Sequence, residues 1–397
     1  MSQRVIGVDI GHQSVKAVVV DIGLRHCSVI EYEECPLSPK APSPFVAESD
    51  VQSQKNVPGR DRAYVVGDDV ETEVTDLKTA AVIAALNKLD LGSYFTGRDT
   101  PVVSNLGGAQ VILKTYSIPI SNDRKAKAVI SSALDEDVIW EEESRAVSIL
   151  PLEKKGDRLT AVARHDDVES MVNVFAKAKL DLTQIGVDSL AYVPLMRRLS
   201  EHQSLALVDI GHSSTNLCVL HNEKPIVART FSRGGHQVTK EIADVFQTTL
   251  AEAEQIKEAR GMVVKSPEQL VKNQDLSANQ LFAMTEGENW TIRDDDMVNC
   301  CVDATKPLRR EIKRSISQLP TQLLPARVVL TGGGSKLAGM AAFIEADLGM
   351  PVSTLESESL ADLNVDRDCD FAMSEGSLAL SAALGFGQKN RIEFRSD

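Results

Sequence analysis

The sequence states one motif twice, about two hundred residues apart. Val5 to Val20 reads VIGVDIGHQSVKAVVV, and Leu205 to Leu220 reads LALVDIGHSSTNLCVL. Each copy is an apolar, β-branched run ending in Asp, then a glycine turn of small polar residues, then a second apolar run. That pattern spells strand, tight hairpin, strand. The turn offers backbone N–H groups and hydroxyls to an anion. The Asp at each strand end suits Mg²⁺ held through water, because magnesium dehydrates reluctantly. One such hairpin is commonplace. Two copies at matching positions imply a duplicated fold in which the hairpins face each other and clamp a polyphosphate with its metal between two carboxylates.

Composition permits this and excludes other classes. At 397 residues the chain has room for two or more domains with separate cores. The net charge of −14 argues against a phosphate-backbone binder, which needs a basic face. Aromatic residues make up only 4% of the chain, too few for the stacking platforms of single-stranded nucleic-acid binders. The cysteines (Cys27, Cys35, Cys218, Cys300, Cys301, Cys369) have no CxxC spacing, and reduced thiols are expected. The N-terminal stretch MSQRVIGVDIGHQS carries no signal-peptide apolar segment, and no apolar run approaches the ~20 residues that span a membrane. A cytoplasmic chain is expected, reaching a membrane only through a partner.

Two further stretches support the clamp. PARVVLTGGGSK (Pro325 to Lys336) reads as a strand, a turn of Gly332, Gly333, Gly334 and Ser335, and a helix beginning near Leu337. Glycines at a strand-to-helix turn let the backbone approach a flat or anionic ligand. The spacing is neither a Walker A loop nor the dinucleotide fingerprint. FSRGGHQVTKEIADVF places Gly234 and Gly235 before a helix, and LAEAEQIKEARG is a helix ending at glycine. On that helix Glu254 and Lys257 share a face at i,i+3, either as a surface ion pair or as contacts to a ribose and base edge.

In their order along the chain, these motifs resemble the actin-like ATPase superfamily. The two VDIGH hairpins, the RGGxxxTxxIA helix start, the AExxK helix and the VVLTGGGSKLAG turn carry the resemblance. Within the superfamily the chain is most similar to the FtsA-type branch and to the PilM family of type IV pilus assembly. Leu159 to Leu190 resembles the segment closing that branch's extra domain, and LRREIKRSISQL (Leu308 to Leu319) resembles its EIxRS helix. The tail GQKNRIEFRSD lacks an FtsA-type membrane-targeting helix and is similar to the IxFR stretch of the type II secretion protein GspL, a near relative.

The resemblance implies an α/β, actin-like fold: two RNase-H-like halves around a nucleotide cleft, with a small α/β domain inserted in the first half. The first half would cover 1–117, with 36–62 a Pro/Ser-rich flexible insertion. The inserted domain would cover 118–187, and the second half 188–397 with a subdomain at 236–320; no role follows for 262–298. ATP and Mg²⁺ are the implied ligands. Asp9 and Asp209 would be the metal-side carboxylates. Gly11, Ser14 and Lys16 would form the first phosphate hairpin, and Gly211, Ser213, Ser214 and Thr215 the second. Gly234, Gly235, Glu254, Lys257 and Gly332 to Ser335 would surround the nucleoside. Asp188 stands where related ATPases carry an acidic residue that orients the attacking water; its other reading is a helix N-cap. His12 and His212 occupy matching turn positions where small residues are usual, and either touch phosphate or metal or face solvent.

The implied function is that of a nucleotide-binding adaptor of a pilus or secretion machine. At most it would be a slow ATPase, and it could form homo-oligomers. It would bind the cytoplasmic tail of a bitopic inner-membrane partner of PilN type, with closure following nucleotide state, and would bind no nucleic acid. A filament-forming division ATPase of FtsA type is the alternative. A sugar or acetate kinase of the same superfamily is disfavoured, because no acceptor-pocket carboxylate is recognisable.

Overall fold

The computed structural model describes residues 2–23, 26–37, 68–89, 91, 94, 100–120, 122–152, 156–199, 204–263, 294–356, 360, 362–367, 369–388 and 391–394. Most of the expected insertion at 36–62, and 264–293 of the unassigned stretch, lie outside the described residues.

The first half opens with β1 (Gln3–Ile10), β2 (Ser14–Ile22) and β3 (Cys27–Pro36), followed by α1 (Asp68–Lys88) and β4 (Val102–Leu106). The chain then makes β5 (Val111–Ser117), α2 (Asp123–Asp137), β6 (Arg145–Pro151) and β7 (Asp157–Arg164). It returns through α3 (His165–Lys177) to β8 (Leu182–Val187) and crosses by α4 (Asp188–Ala191) and α5 (Val193–Leu199). The second half has β9 (Ser204–Ile210), β10 (Thr215–His221) and β11 (Lys224–Phe231), then α6 (Gly235–Phe246), α7 (Leu250–Arg260) and α8 (Asp294–Ser317). It ends with β12 (Val328–Thr331), α9 (Met340–Leu348) and β13 (Val352–Thr354), before β14 (Leu363–Val365) and α10 (Met373–Leu384).

The duplication read from the hairpins extends to whole sheets. The first sheet runs β14-β3-β2-β1-β4-β8 and the second β11-β10-β9-β12-β13. In each, an antiparallel meander of three strands is followed by two strands added parallel to its first member. Val, Leu and Ile fill the central strands because both faces are covered; every residue of β9 and β10 is buried. At roughly 1.5–3 kcal/mol per buried aliphatic side chain, these strands fix the register that brings each Asp to its turn.

Three boundaries differ from expectation. The inserted sheet, ordered β5-β7-β6, starts at Val111 rather than 118, because β5 pairs with β7 from Val111↔Ala163 to Ser117↔Asp157. It ends with β7 rather than at 187. Strand β8 pairs parallel with β4 in the first sheet, and Val174 and Phe175 of α3 share a core with Val82 and Leu86 of α1. The second half does not run to 397: β14 pairs parallel with β3 (Leu363↔Cys27), and α10 packs on β1 and β2. Helix α10 returns because Met373 and Gly376 through Leu384 are all buried, so it needs cover on every side. Ser381 ties it to the crossing segment, donating to Ala191 O at 2.6 Å and accepting from Leu195 N at 3.1 Å. Within the expected 236–320 subdomain, α6 packs against α7 and α8. The local start of α7 is a capping box in which Thr249 and Glu252 satisfy each other's backbone N–H.

Candidate functional site: two matched hairpins on one cleft

Both VDIGH turns close with the same hydrogen bond. Gly11 N donates to Ser14 O at 3.0 Å, and Gly211 N donates to Ser214 O at 2.9 Å. The turns lie on one cleft of about 1100 Å³, whose wall also includes Gly234, Gly235, Lys257 and Gly332 through Gly334. Asp9, Asp188 and Asp209 line it together.

Strand register gives each Asp a cross-strand neighbour, and the two neighbours differ. Asp9 faces Lys16, with Nζ 3.6 Å from Oδ2. Asp209 faces Asn216, whose Nδ2 donates to Oδ2 at 3.2 Å while Thr230 donates to Asn216 Oδ1 at 2.7 Å. The buried Tyr192 hydroxyl also hydrogen-bonds Asp209 and is itself hydrogen-bonded by Ser377. Burial pushes Asp209 up to about 6, with Asn216 and Tyr192 countering only part of the effect and Asp9 adding to it. Burial also raises Asp9, though Lys16 works against it. For Lys16, burial is outweighed by the carboxylates of Asp9, Glu34 and Asp209, and its pKa lies above the ordinary value. Asp188 is pushed furthest, by burial and then by the charges of Asp9 and Asp209. Three carboxylates crowded around a single lysine, Lys16, leave an electrostatic demand for further positive charge.

The two glycine turns lean on the second hairpin. Gly235 N donates to Gly211 O at 2.9 Å and His236 N to His212 O at 2.7 Å. A Cβ on Gly234 would stand 2.4 Å from Gly211 O, so only glycine permits this approach. Gly332 adopts φ +82, and a Cβ there would lie 2.3 Å from Asp209 Oδ1. Gly333, by contrast, has nothing within 4 Å of a built Cβ and faces open space. The helix expected near Leu337 begins at Met340, after a short 3-10 turn at Gly333–Lys336.

Most residues singled out from the sequence meet at this cleft, and three have other contacts. Thr215 is buried and donates to Arg233 O at 2.7 Å, holding the approach to Gly234. Ser335 is buried and donates to Gly332 O at 2.7 Å, bracing the glycine turn. Glu254 pairs with Lys257 Nζ at 2.7 Å and accepts from Thr239 and, across the cleft, from Gln13 Nε2 at 3.4 Å. Ser14 and Ser213 line the cleft, and Ser14 Oγ donates to Glu34. Asp188 is the first residue of α4, whose N-cap is Val187, so it does not cap the helix and instead faces the cleft. His12 and His212 do not face bulk solvent: both line the cleft, and His212 lies against His236 with ring centroids 5.1 Å apart and the rings tilted by 50°.

Sequence reasoning missed Asn105, Lys78, Tyr192 and Asn216. Asn105 lines the cleft with a buried Nδ2 that has no partner among the described residues. Asn216 was discoverable, since it stands seven residues after Asp209 as Lys16 does after Asp9. Tyr192 and Lys78 carry no local signal.

Comparison with known proteins finds relatives of the same fold. The family model described as type IV pilus assembly protein PilM matches residues 123–272, and that of cell division protein FtsA matches 206–377. The solved PilM-PilN type IV pilus biogenesis complex superposes with a TM-score of 0.67 at 21% identity, covering 96% of this chain and 97% of that one. The chain shares the actin-like fold of these solved structures. Its likeness is to the PilM and FtsA members. Spiroplasma citri MreB5 bound to ADP shares the fold at a TM-score of 0.51 and 12% identity, over 91% of this chain and 94% of that one. Bacillus subtilis (strain 168) FtsA is 22% identical over 177 residues, 44% of this chain and 38% of its own length. Enterococcus faecalis (strain ATCC 700802 / V583) FtsA is 24% identical over 167 residues, 41% of this chain and 36% of its own length. The chain thus matches less than two fifths of the length of these curated relatives.

Proposed function

We propose that this actin-like chain is a nucleotide-dependent adaptor of a type IV pilus or related secretion machine. It binds ATP with Mg²⁺ between its halves and engages the cytoplasmic tail of a PilN-like inner-membrane protein. The observation that carries the reading is the pair of identically closed hairpins on one cleft. The donor set suits the ligands. Open space at Gly333 accepts a flat nucleoside, and the unpartnered Asn105 Nδ2 offers a buried donor. Asp9 and Asp209 are oxygen ligands of the hard type magnesium prefers. Among the described residues no group of three or more His, Cys, Asp or Glu side chains can hold a metal alone, so the ion would depend on phosphate oxygens and water as well. Bound, the cation offsets phosphate charge and relieves the crowding of Asp9, Asp188 and Asp209.

Closure follows from where the groups sit. Asp9 and Gln13 belong to the first half, and Asp209, Lys257 and Gly332 to the second, so a ligand held by both favours the closed arrangement. The partner carries the membrane link. Among the described residues no helix is long and apolar enough to cross a bilayer. The net charge of −14 suits the basic juxtamembrane tails typical of the cytoplasmic side. Relatedness to the solved PilM-PilN complex supports that class of partner. Asp188 orients water in any hydrolysis, and Asp188→Asn is expected to lower turnover at least about tenfold without abolishing binding.

The test is binding of the N-terminal tail peptide of the PilN-like protein encoded in the same organism, by calorimetry, with Mg·ATP, with Mg·ADP and with neither. Binding that changes at least about fivefold with nucleotide state supports the adaptor. No binding in any state overturns it. ATP-dependent sedimentation into polymers without tail binding would favour the FtsA-like filament instead.

A further inference from the structure

Asp209 is tied to the base of the inserted domain through one side chain, Thr230. Strand register sets Thr230 of β11 opposite Asn216 of β10. A carboxylate only accepts, so the Asn216 amide turns its NH₂ toward Asp209 and its oxygen toward β11. There the Thr230 hydroxyl donates to that oxygen at 2.7 Å. On its other side Thr230 meets the first half. A Cβ added at Gly108 would collide with Oγ1, Cβ and Cγ2 of Thr230, so the threonine fills the space that any larger residue at 108 would need. Gly108 opens the short 3-10 turn Gly108–Gln110, and β5 of the inserted sheet follows at Val111. The turn is braced at both ends: Gln110 Oε1 accepts from Gly107 N at 3.2 Å, and Gln110 Nε2 donates to Asp167 of α3 at 3.3 Å. Beyond the contact lies a cavity of about 220 Å³, lined by Gly108, Val111, Leu113, Ser189, Thr230 and Phe231. It leaves the base of the inserted domain room to shift.

Resting on the nucleotide reading above, we propose that Thr230 is a positioning residue that carries ligand occupancy at Asp209 to the inserted domain, through Asn216 on one side and Gly108 on the other. Three features support this. The contacts are contiguous, and they cross from the second half to the first at a glycine, where no side chain cushions them. Threonine is β-branched, so its χ1 has a few discrete settings. Turning the hydroxyl away from Asn216 brings a different group against Gly108, and a change at Asn216 arrives there as a step. Finally, the charge on Asp209 sets the pull on Asn216. Positive charge drawn to that carboxylate competes with the amide for Oδ2, and a loosened amide loosens the Thr230 bond. A partner gripping the inserted domain would then respond to whether the cleft is filled.

The experiment follows backbone amide hydrogen exchange of Val111–Ser117, with and without Mg·ATP, in wild type, Thr230→Val and Thr230→Ser. ATP affinity is measured on the same samples. Valine keeps the shape and removes the donor; serine restores the donor. The inference expects Mg·ATP to change exchange in this strand at least about fivefold in wild type and Thr230→Ser, and less than about twofold in Thr230→Val. ATP affinity should stay within about fivefold in all three, because Thr230 reaches Asp209 only through Asn216. A Thr230→Val protein that responds as wild type does overturns the inference, and so does a wild type that binds ATP with no change in β5. A larger loss of ATP affinity overturns it as well, since Thr230 would then be holding the ligand site itself. Exchange in Thr230→Val that is already faster without ligand would report a purely structural contact and would also overturn it. Wild type that binds no ATP sinks the nucleotide reading, and the inference falls with it.

Discussion

The two hairpins share a backbone and differ in charge. Each closes its turn with an equivalent Gly-to-Ser bond, and each sets its Asp opposite the residue seven positions later. In the first half that residue is Lys16, which leaves Asp9 partly compensated. In the second it is Asn216, aided by Tyr192, which hydrogen-bond Asp209 without cancelling its charge. Duplication therefore preserved the geometry that brings two turns to one cleft, while the two partner residues give the turns different charge. The first hairpin already carries a cation. The second carries a buried carboxylate held by neutral donors.

The largest effect expected on the comparison comes from Gly332→Val, which has no counterpart in the first half. A side chain at φ +82, directed onto the Asp209 carboxylate, should destabilise the fold by about 3–5 kcal/mol in chemical denaturation. Next is Asp209→Asn, measured without metal. Burial raises the pKa of Asp209 in the folded chain to about 6, against an ordinary value of 3.8. The folded state thus holds the proton more tightly, and this stabilisation is lost as pH rises from about 4 through 6. The variant should therefore be more stable than wild type at pH 7 by up to about 3 kcal/mol, and the gap should close toward pH 4. A gap independent of pH would remove the asymmetry. Lys16→Ala probes the other hairpin: stripping Asp9 of its ion partner should cost about 1–3 kcal/mol at pH 7. The smallest effect belongs to Gln13→Ala. Its bond to Glu254 is exposed and 3.4 Å long, so stability should change by less than about 0.5 kcal/mol.

Where the sequence was legible, the reason was local periodicity. The VDIGH repeats predicted both strand pairs, and LAEAEQIKEARG predicted the helix found at Leu250–Arg260. Gly234 and Gly332 were legible because only glycine permits their approach to the second hairpin. The boundaries were not, because they depend on pairings between distant segments. Nothing in LNV signals that β14 will add to β3, and the small residues of α10 do not show that it packs under the first sheet. The same holds for Tyr192 and Lys78, which reach the cleft only through the packing of α1 and the crossing segment. Thr215 and Ser335 show the opposite error. A hydroxyl beside a phosphate turn reads as a ligand contact, yet each is turned inward to hold a backbone carbonyl.

The central claim is that two electrostatically unlike hairpins form one nucleotide clamp completed by a cation. The most direct test is titration of a fluorescent ATP analogue, with Mg²⁺ and with EDTA, against wild type and Asp209→Asn. The account predicts that Mg²⁺ tightens wild-type binding by about tenfold or more, and that the folded variant binds equally with and without it. Wild-type binding indifferent to Mg²⁺, or a variant that keeps the full magnesium response, would contradict it.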